Sequence, residues 1–189
     1  MTDPLEPGGA NPWQTLASRV IYDNSRLRVV EDSVVQPDGE PGAYTYIQVP
    51  WPIVAVVPVT QDRQVYLVRQ WRYPWGRNSW EIPAGHGEPH EPPLLGAQRE
   101  LAEEVGLEAG TWEALGTGYA SAAVSAEYHL FLALDLRPAT VAAERDGAEH
   151  DMIARAVPLK DAIQAAVDGR IVHAFSVVGL LRAARRLGL

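Results

Sequence analysis

The stretch from Glu91 to Gly106 constrains this chain more than any other. Leu94, Ala97, Leu101 and Val105 recur at spacings of three and four, which puts them on one stripe of an α-helix. Glu100, Glu103 and Glu104 stand at i, i+3 and i+4 and share an adjacent face. So regular an apolar stripe has to bury itself against a sheet or another helix. The carboxylates beside it repel one another, at a cost of roughly a few tenths of a kcal/mol per pair. A solvated face would relieve that repulsion with interleaved lysines. This segment has none, and its basic residue is Arg99. The plain reading is an acidic face in water. The alternative is a site for a hard divalent cation, magnesium or manganese, which takes oxygen ligands and bridges a few carboxylates to phosphate.

The chain around this segment reads as strands, a helix, strands, then helices. Ser18–Tyr22, Leu27–Val35 and Tyr44–Gln48 are predicted strands, with Pro37-Asp38-Gly39 as a turn between the last two. Ile53–Val59 and Gln64–Gln70 are β-branched runs, and Thr60–Arg63 between them suggests a hairpin. Trp80–Pro83 is a short strand. Pro92 and Pro93 open the helix, which runs to about Val105 and stops at Gly106. Trp112–Tyr119 and His129–Leu136 follow as strands, then helices over Pro158–Val167 and Ser176–Leu187. This order, without an internal repeat, predicts an α/β fold with a mixed sheet rather than a regular βαβ array. Residues 1–12 are expected to be a loose tail, 13–49 an N-terminal β extension, and 50–189 the main domain.

Charge bears on the choice between the two readings of the helix. With 16 Lys and Arg against 24 Asp and Glu, the net charge is −8. Such a chain gains little from a nucleic-acid backbone, so no polymer of that kind is expected as a partner. If it acts on phosphates, the positive charge has to come from bound cations and a few arginines. There is no cysteine, which excludes disulfides and a thiolate zinc site. No apolar run is long enough to cross a bilayer, and the first residues lack a basic-then-apolar leader pattern, so no membrane association and a cytoplasmic location are expected.

The segment from Gly85 to Leu107 resembles the Nudix box: a glycine, five residues, a glutamate, seven residues, then Arg-Glu-apolar-x-Glu-Glu-x-Gly-apolar. Here these are Gly85, Glu91, then Arg99-Glu100-Leu101-Ala102-Glu103-Glu104-Val105-Gly106-Leu107, and every defined position matches. The resemblance implies the Nudix α/β/α sandwich and metal-dependent cleavage of a pyrophosphate linkage. It implies that Glu100, Glu103 and Glu104 are metal ligands, joined by the carbonyl of Ala84. It further implies that Arg99 organises carboxylates, Glu91 among them, and that Gly85 and Gly106 are structural.

Val68-Arg-Gln-Trp-Arg-Tyr-Pro74, Trp80-Glu-Ile-Pro-Ala-Gly85 and the tail Asp168-Gly-Arg-Ile resemble the branch that hydrolyses ADP-ribose and other nucleoside diphosphate sugars. In that branch the N-terminal strands pair across a homodimer, so a second copy is an expected partner beside a small nucleotide substrate. Arg72 matches the branch's diphosphate-contacting arginine, and its planar fork of donors suits phosphate oxygens. Arg69 is a weaker candidate. Glu81 either touches substrate or supports the loop, and Glu88 is a candidate on the phosphate or water side. The general base is Glu127, on the small-residue loop before His129, or alternatively Glu103. One departure stands out. ADP-ribose-specific members carry Ser-Pro-Gly where this chain has Ser121-Ala122-Ala123. Two other activities remain: hydrolysis of nucleoside triphosphates or dinucleoside polyphosphates, and catalytically silent sensing of a nucleotide sugar. The six tryptophans are expected in the core or at a dimer interface, and His86 and His90 are assigned no role.

Overall fold

The structure, a computed structural model, describes Leu5, residues 9–140 and residues 151–189. Most of the tail expected over residues 1–12 lies outside the described residues. The chain forms two compact units. One comprises residues 1–50 with 121–125, the other residues 51–120 with 126–189.

The first unit is an antiparallel meander of β1 (Gln14–Asp23), β2 (Arg28–Val35) and β3 (Pro41–Gln48). Asn24 closes the first turn by accepting from the backbone N–H groups of Arg26 and Leu27, both at 2.8 Å. Gly39, at φ 89°, takes the left-handed position of the second turn, as the Pro-Asp-Gly sequence predicts. Ile47 of β3 pairs in parallel with Val124. β1 starts four residues earlier than its apolar run suggests and is exposed along its whole length, Leu16, Val20, Ile21 and Tyr22 included.

The second unit is built from β4 (Ile53–Pro58), β5 (Gln64–Arg72), β6 (Arg77–Glu81), β7 (Ala84–His86), α1 (Pro93–Val105), all but the last residue of β8 (Leu107–Ser121), β9 (Val124–Pro138) from Ala126 onward, β10 (Ile153–Pro158), α2 (Leu159–Val167) and α3 (Ala174–Arg186). β4 is central: it runs parallel to β9 and antiparallel to β7, which makes the sheet mixed. Its two faces carry different layers. Val54 and Val56 pack with Ala97 and Leu101 of α1. Ala55 and Val57 point the other way, into a cluster with Ile82, Leu130, Leu159 and Leu180. The period-2 alternation of one apolar strand thus serves helices on both sides, the expected α/β/α layering. Gly179 lets α3 close on the sheet, since a Cβ there would fall 2.8 Å from Ile82 Cδ1 and 3.2 Å from Val57 Cγ2.

The hairpin expected across Thr60–Arg63 does not form a shared ladder. β5 pairs with β6 and β10 in a second, three-stranded sheet, and an isolated bridge, Val59 to Val65, is what remains of the hairpin. β4 is apolar on both faces, so periodicity does not say which neighbours it takes. β6 begins at Arg77 rather than Trp80, and Ala84–His86 forms a strand of its own. Among the tryptophans, Trp71 and Trp75 are not core residues; they flank the tight turn after β5 and are about half exposed. No helix among the described residues is long and apolar enough to cross a membrane.

Candidate active site

α1 delivers its carboxylates onto β7. Gly106 ends the helix in the left-handed conformation at φ 74°, and its N–H returns to the Ala102 carbonyl at 2.9 Å. Glu104 is 1% exposed, and its Oε2 accepts from the Ala84 N–H at 3.0 Å. Glu100, also buried, lies directly against Gly85, where a Cβ would fall 2.1 Å from Oε1. The glycine opening the motif is therefore a steric requirement: the strand backbone has to touch the carboxylate. β7 is held there by its ladder with β4, Val54 opposite Gly85 and Ala55 opposite Ala84.

Arg99 spans this cluster. One guanidinium nitrogen, Nη1, donates to Glu100 Oε1 at 2.7 Å and to Glu103 Oε2 at 2.9 Å. The other, Nη2, donates to the His86 carbonyl at 2.8 Å and to Glu91 Oε2 at 3.4 Å. Glu91 also accepts from the Glu88 N–H at 3.0 Å, which fixes the loop before the helix. The Glu88 carboxylate itself is exposed, 3.9 Å from Arg99 Nε. Burial disfavours the arginine's charge, but Glu100, Glu91 and Glu103 outweigh it and raise its pKa. One positive charge is thus spread over three carboxylates.

That arrangement fits a divalent cation. Glu100 and Glu104 are carboxylates withdrawn from water beside a backbone segment, and a single guanidinium serves Glu100, Glu103 and Glu91 together. Among the described residues no three acidic or histidine side chains close around one point.

A second polar cluster lies at the end of β5 and β6. Arg72 Nε donates to Glu81 Oε1 at 2.9 Å and Nη2 to Oε2 at 2.5 Å, a bidentate pair. Glu81 has no solvent exposure, while about a third of the Arg72 side chain does. Glu81 Oε2 is also 3.2 Å from His173 Nδ1, and that nitrogen is 2.8 Å from Ser176 Oγ. Burial alone would push the Glu81 carboxyl up; the Arg72 hydrogen bonds and the His173 and Arg72 charges outweigh it and hold it below its ordinary range. His173 is held low by burial and by the Arg72 charge, against the pull of Glu81. Sequence reading missed His173 and Ser176. Ser176 Oγ accepts from Ile82 N–H across 94 residues of chain, and no spacing signal announces such a contact.

Glu127 is placed within β9 rather than on the expected loop. Alternation puts it on the same sheet face as His129, Phe131 and Ala133, and the last two pack in the α1 cluster. His129 Nε2 stands 3.8 Å from Glu127 Oε2. Across the sheet, Val54 pairs with His129 on one side and Gly85 on the other, so Glu127 belongs to the face that carries the carboxylate helix. Arg69 lies in β5 opposite Trp80 and Ile153, with its Nε buried and unpaired. Ser121 Oγ accepts from the Ala123 N–H at 3.2 Å, which closes the turn where Pro-Gly is absent.

Comparison with known proteins gives two family matches. A NUDIX domain model covers residues 49–175, and a nucleoside diphosphate sugar hydrolase N-terminal domain model covers residues 13–47. The chain is 32% identical over 176 residues to an ADP-ribose pyrophosphatase of Mycobacterium tuberculosis, covering 89% of this chain and 82% of that protein. It is 32% identical over 161 residues to an ADP-ribose pyrophosphatase of Bacillus subtilis, covering 85% of each. The fold matches the crystal structure of an ADP compounds hydrolase with TM-score 0.83 at 21% identity, over 96% of this chain and 97% of that one.

Proposed function

Because this chain belongs to the Nudix family of hydrolases, we propose that it cleaves the pyrophosphate bond of a nucleoside diphosphate sugar, with ADP-ribose the leading substrate. The observation that carries this reading is the packing of Gly85 against Glu100 on the three-glutamate face of α1. The relatives described as ADP-ribose pyrophosphatases, matched over most of their length, support the substrate class.

Glu100, Glu103, Glu104 and the Ala84 carbonyl are the groups that would hold a divalent cation, magnesium first and manganese second. When bound, the cation would offset negative charge developing on the phosphate oxygens. Arg72, part exposed at the end of β5, holds the substrate's diphosphate through its planar fork. Glu88 and Arg69 are secondary substrate contacts. Glu127 takes the proton from the attacking water, with Glu103 as the alternative base. Products are a nucleoside monophosphate and a sugar phosphate.

A second copy of the chain is the proposed partner. The support is β1, which shows Leu16, Val20, Ile21 and Tyr22 to solvent although such residues ordinarily seek cover. The proposed location is the cytoplasm, supported by the lack of cysteine.

The test is a panel of ADP-ribose, other nucleoside diphosphate sugars, nucleoside triphosphates and dinucleoside polyphosphates, each with magnesium or manganese and with products identified by mass. Preferred cleavage of a triphosphate or dinucleoside polyphosphate would overturn the substrate assignment. Absence of turnover on every member would leave the sensor reading in its place.

A further inference from the structure

We propose that His173 and Ser176, at the start of α3, act through Glu81 as a positioning relay that fixes the Arg72 guanidinium for the substrate's diphosphate. This rests on the reading that Arg72 holds that diphosphate.

An arginine at a strand end, about a third exposed, has many rotamers and is a poor clamp by itself. Here Nε and Nη2 both donate to one carboxylate that is wholly out of water. A buried carboxylate fixes an arginine only if the carboxylate cannot turn. His173 Nδ1 lies 3.2 Å from Glu81 Oε2, an ion-pair contact that walls in the carboxylate, and 2.8 Å from Ser176 Oγ, to which it is hydrogen-bonded. Ser176 Oγ also takes the N–H of Ile82 at 2.9 Å, the residue that follows Glu81. The relay therefore closes on the same stretch of backbone that bears the carboxylate. The imidazole is edge-on to Phe175 with centroids 4.9 Å apart, and tilted against Trp75 at 6.1 Å, so its ring plane is held as well. Gly179, one helical turn beyond Ser176, admits the Ile82 side chain and keeps α3 seated on this segment.

The charged groups facing His173 are Glu81 from β6 and Arg72 from β5; its aromatic neighbours are Trp75 and Phe175. A proton added to the ring would set a second cation against Glu81 Oε2, in competition with Arg72. The relay thus works with a neutral imidazole and weakens the clamp on acidification.

The experiment measures kcat and KM of the full chain on its preferred member of the substrate panel, across pH, for wild type, His173→Ala, His173→Asn and Arg72→Gln. His173→Ala is expected to raise KM about five- to tenfold with kcat within about twofold, the signature of lost substrate positioning. His173→Asn keeps an N–H near the Nδ1 position. It is expected to restore KM to within about twofold and to lose the acidic rise in KM expected of wild type. Arg72→Gln with unchanged KM would overturn the assignment of Arg72 itself. If Arg72→Gln raises KM while both His173 variants keep the wild-type KM and pH profile, the relay is wrong. It is also wrong if His173→Ala lowers the melting temperature and kcat while His173→Asn fails to restore KM.

Discussion

Gly85 and Glu100 touch so closely that a Cβ on the glycine would stand 2.1 Å from Glu100 Oε1. The Gly85 backbone is the fixed partner, and the carboxylate end of Glu100 is the part that would have to move. Gly85 is held by its ladder with β4, and Glu100 is buried on a helix whose apolar stripe is anchored by Ala97 and Leu101. Gly85→Ala is therefore expected to lower stability by about 1–3 kcal/mol, the usual cost of overpacking. It is also expected to lower kcat more than tenfold, because the carboxylate has to leave its place. Thermal unfolding and steady-state kinetics check both. A variant with wild-type kcat would show that Glu100 is not needed where it now lies.

Glu104 bonds the Ala84 N–H, so its removal disturbs both a proposed cation ligand and the peptide beside it. Glu104→Gln keeps the shape and an oxygen acceptor but removes the charge. Magnesium affinity, read by calorimetry, is expected to fall at least tenfold, and turnover by on the order of a hundredfold or more. Unchanged turnover at saturating magnesium would sink the ligand assignment, whatever the stability of the variant.

Glu127 and Glu103 compete for the role of base. They differ in their surroundings: Glu103 bonds Arg99 at 2.9 Å, whereas Glu127 faces His129 at 3.8 Å. The Arg99 bond occupies one Glu103 oxygen and ties that side chain to the helix. Glu127→Gln is thus expected to lower kcat by roughly 100- to 10,000-fold with KM little changed, while Glu103→Gln weakens metal dependence as well. If Glu127→Gln retains more than a tenth of wild-type kcat and Glu103→Gln does not, the base is Glu103.

How much of this is legible in the sequence depends on the range of the contacts involved. The carboxylate helix and its glycine stop are local, and spacing reports them; the Arg99–Glu91 pairing is legible only through the motif resemblance. Gly85 against Glu100 is legible as a pattern but not as a cause, because the reason is steric and needs the sheet. The runs of β4 and β5 read correctly as strands, but beyond the Val59–Val65 bridge they pair elsewhere, and the apolar run of β4 carries no register information. Glu127 sits on a strand because β9 starts at Val124, among small residues that read as a loop. His173 gives no signal at all. Its partners Arg72 and Glu81 come from two strands about a hundred residues earlier, and only the docking of α3 creates the site.

The same cluster makes a prediction about acid stability. Glu81 is held below its ordinary value of 4.5: burial raises it, and the Arg72 hydrogen bonds and the neighbouring charges of His173 and Arg72 lower it by more. As pH falls past that ordinary value, the unfolded chain therefore takes up this proton before the folded one does. The stability contributed by Glu81 is full above about pH 4.5 and is lost as pH falls through its lower folded value. His173 is also held below its ordinary 6.5, by burial first and by Arg72. The unfolded state again binds the proton first, so a separate loss begins as pH drops below about 6.5. The two windows are separable by differences in melting temperature between wild type and variant, measured from about pH 8 to about pH 4. His173→Asn removes the upper window and narrows the lower, because the His173 charge is one of the causes that hold Glu81 low. Glu81→Gln leaves Arg72 without its charged partner, at a cost of about 1–3 kcal/mol at neutral pH, and that deficit shrinks as the wild type loses its own Glu81 contribution below about pH 4.5. A Glu81→Gln deficit that stayed constant down to the acid end of that range would mean that Glu81 is not held low in the folded protein.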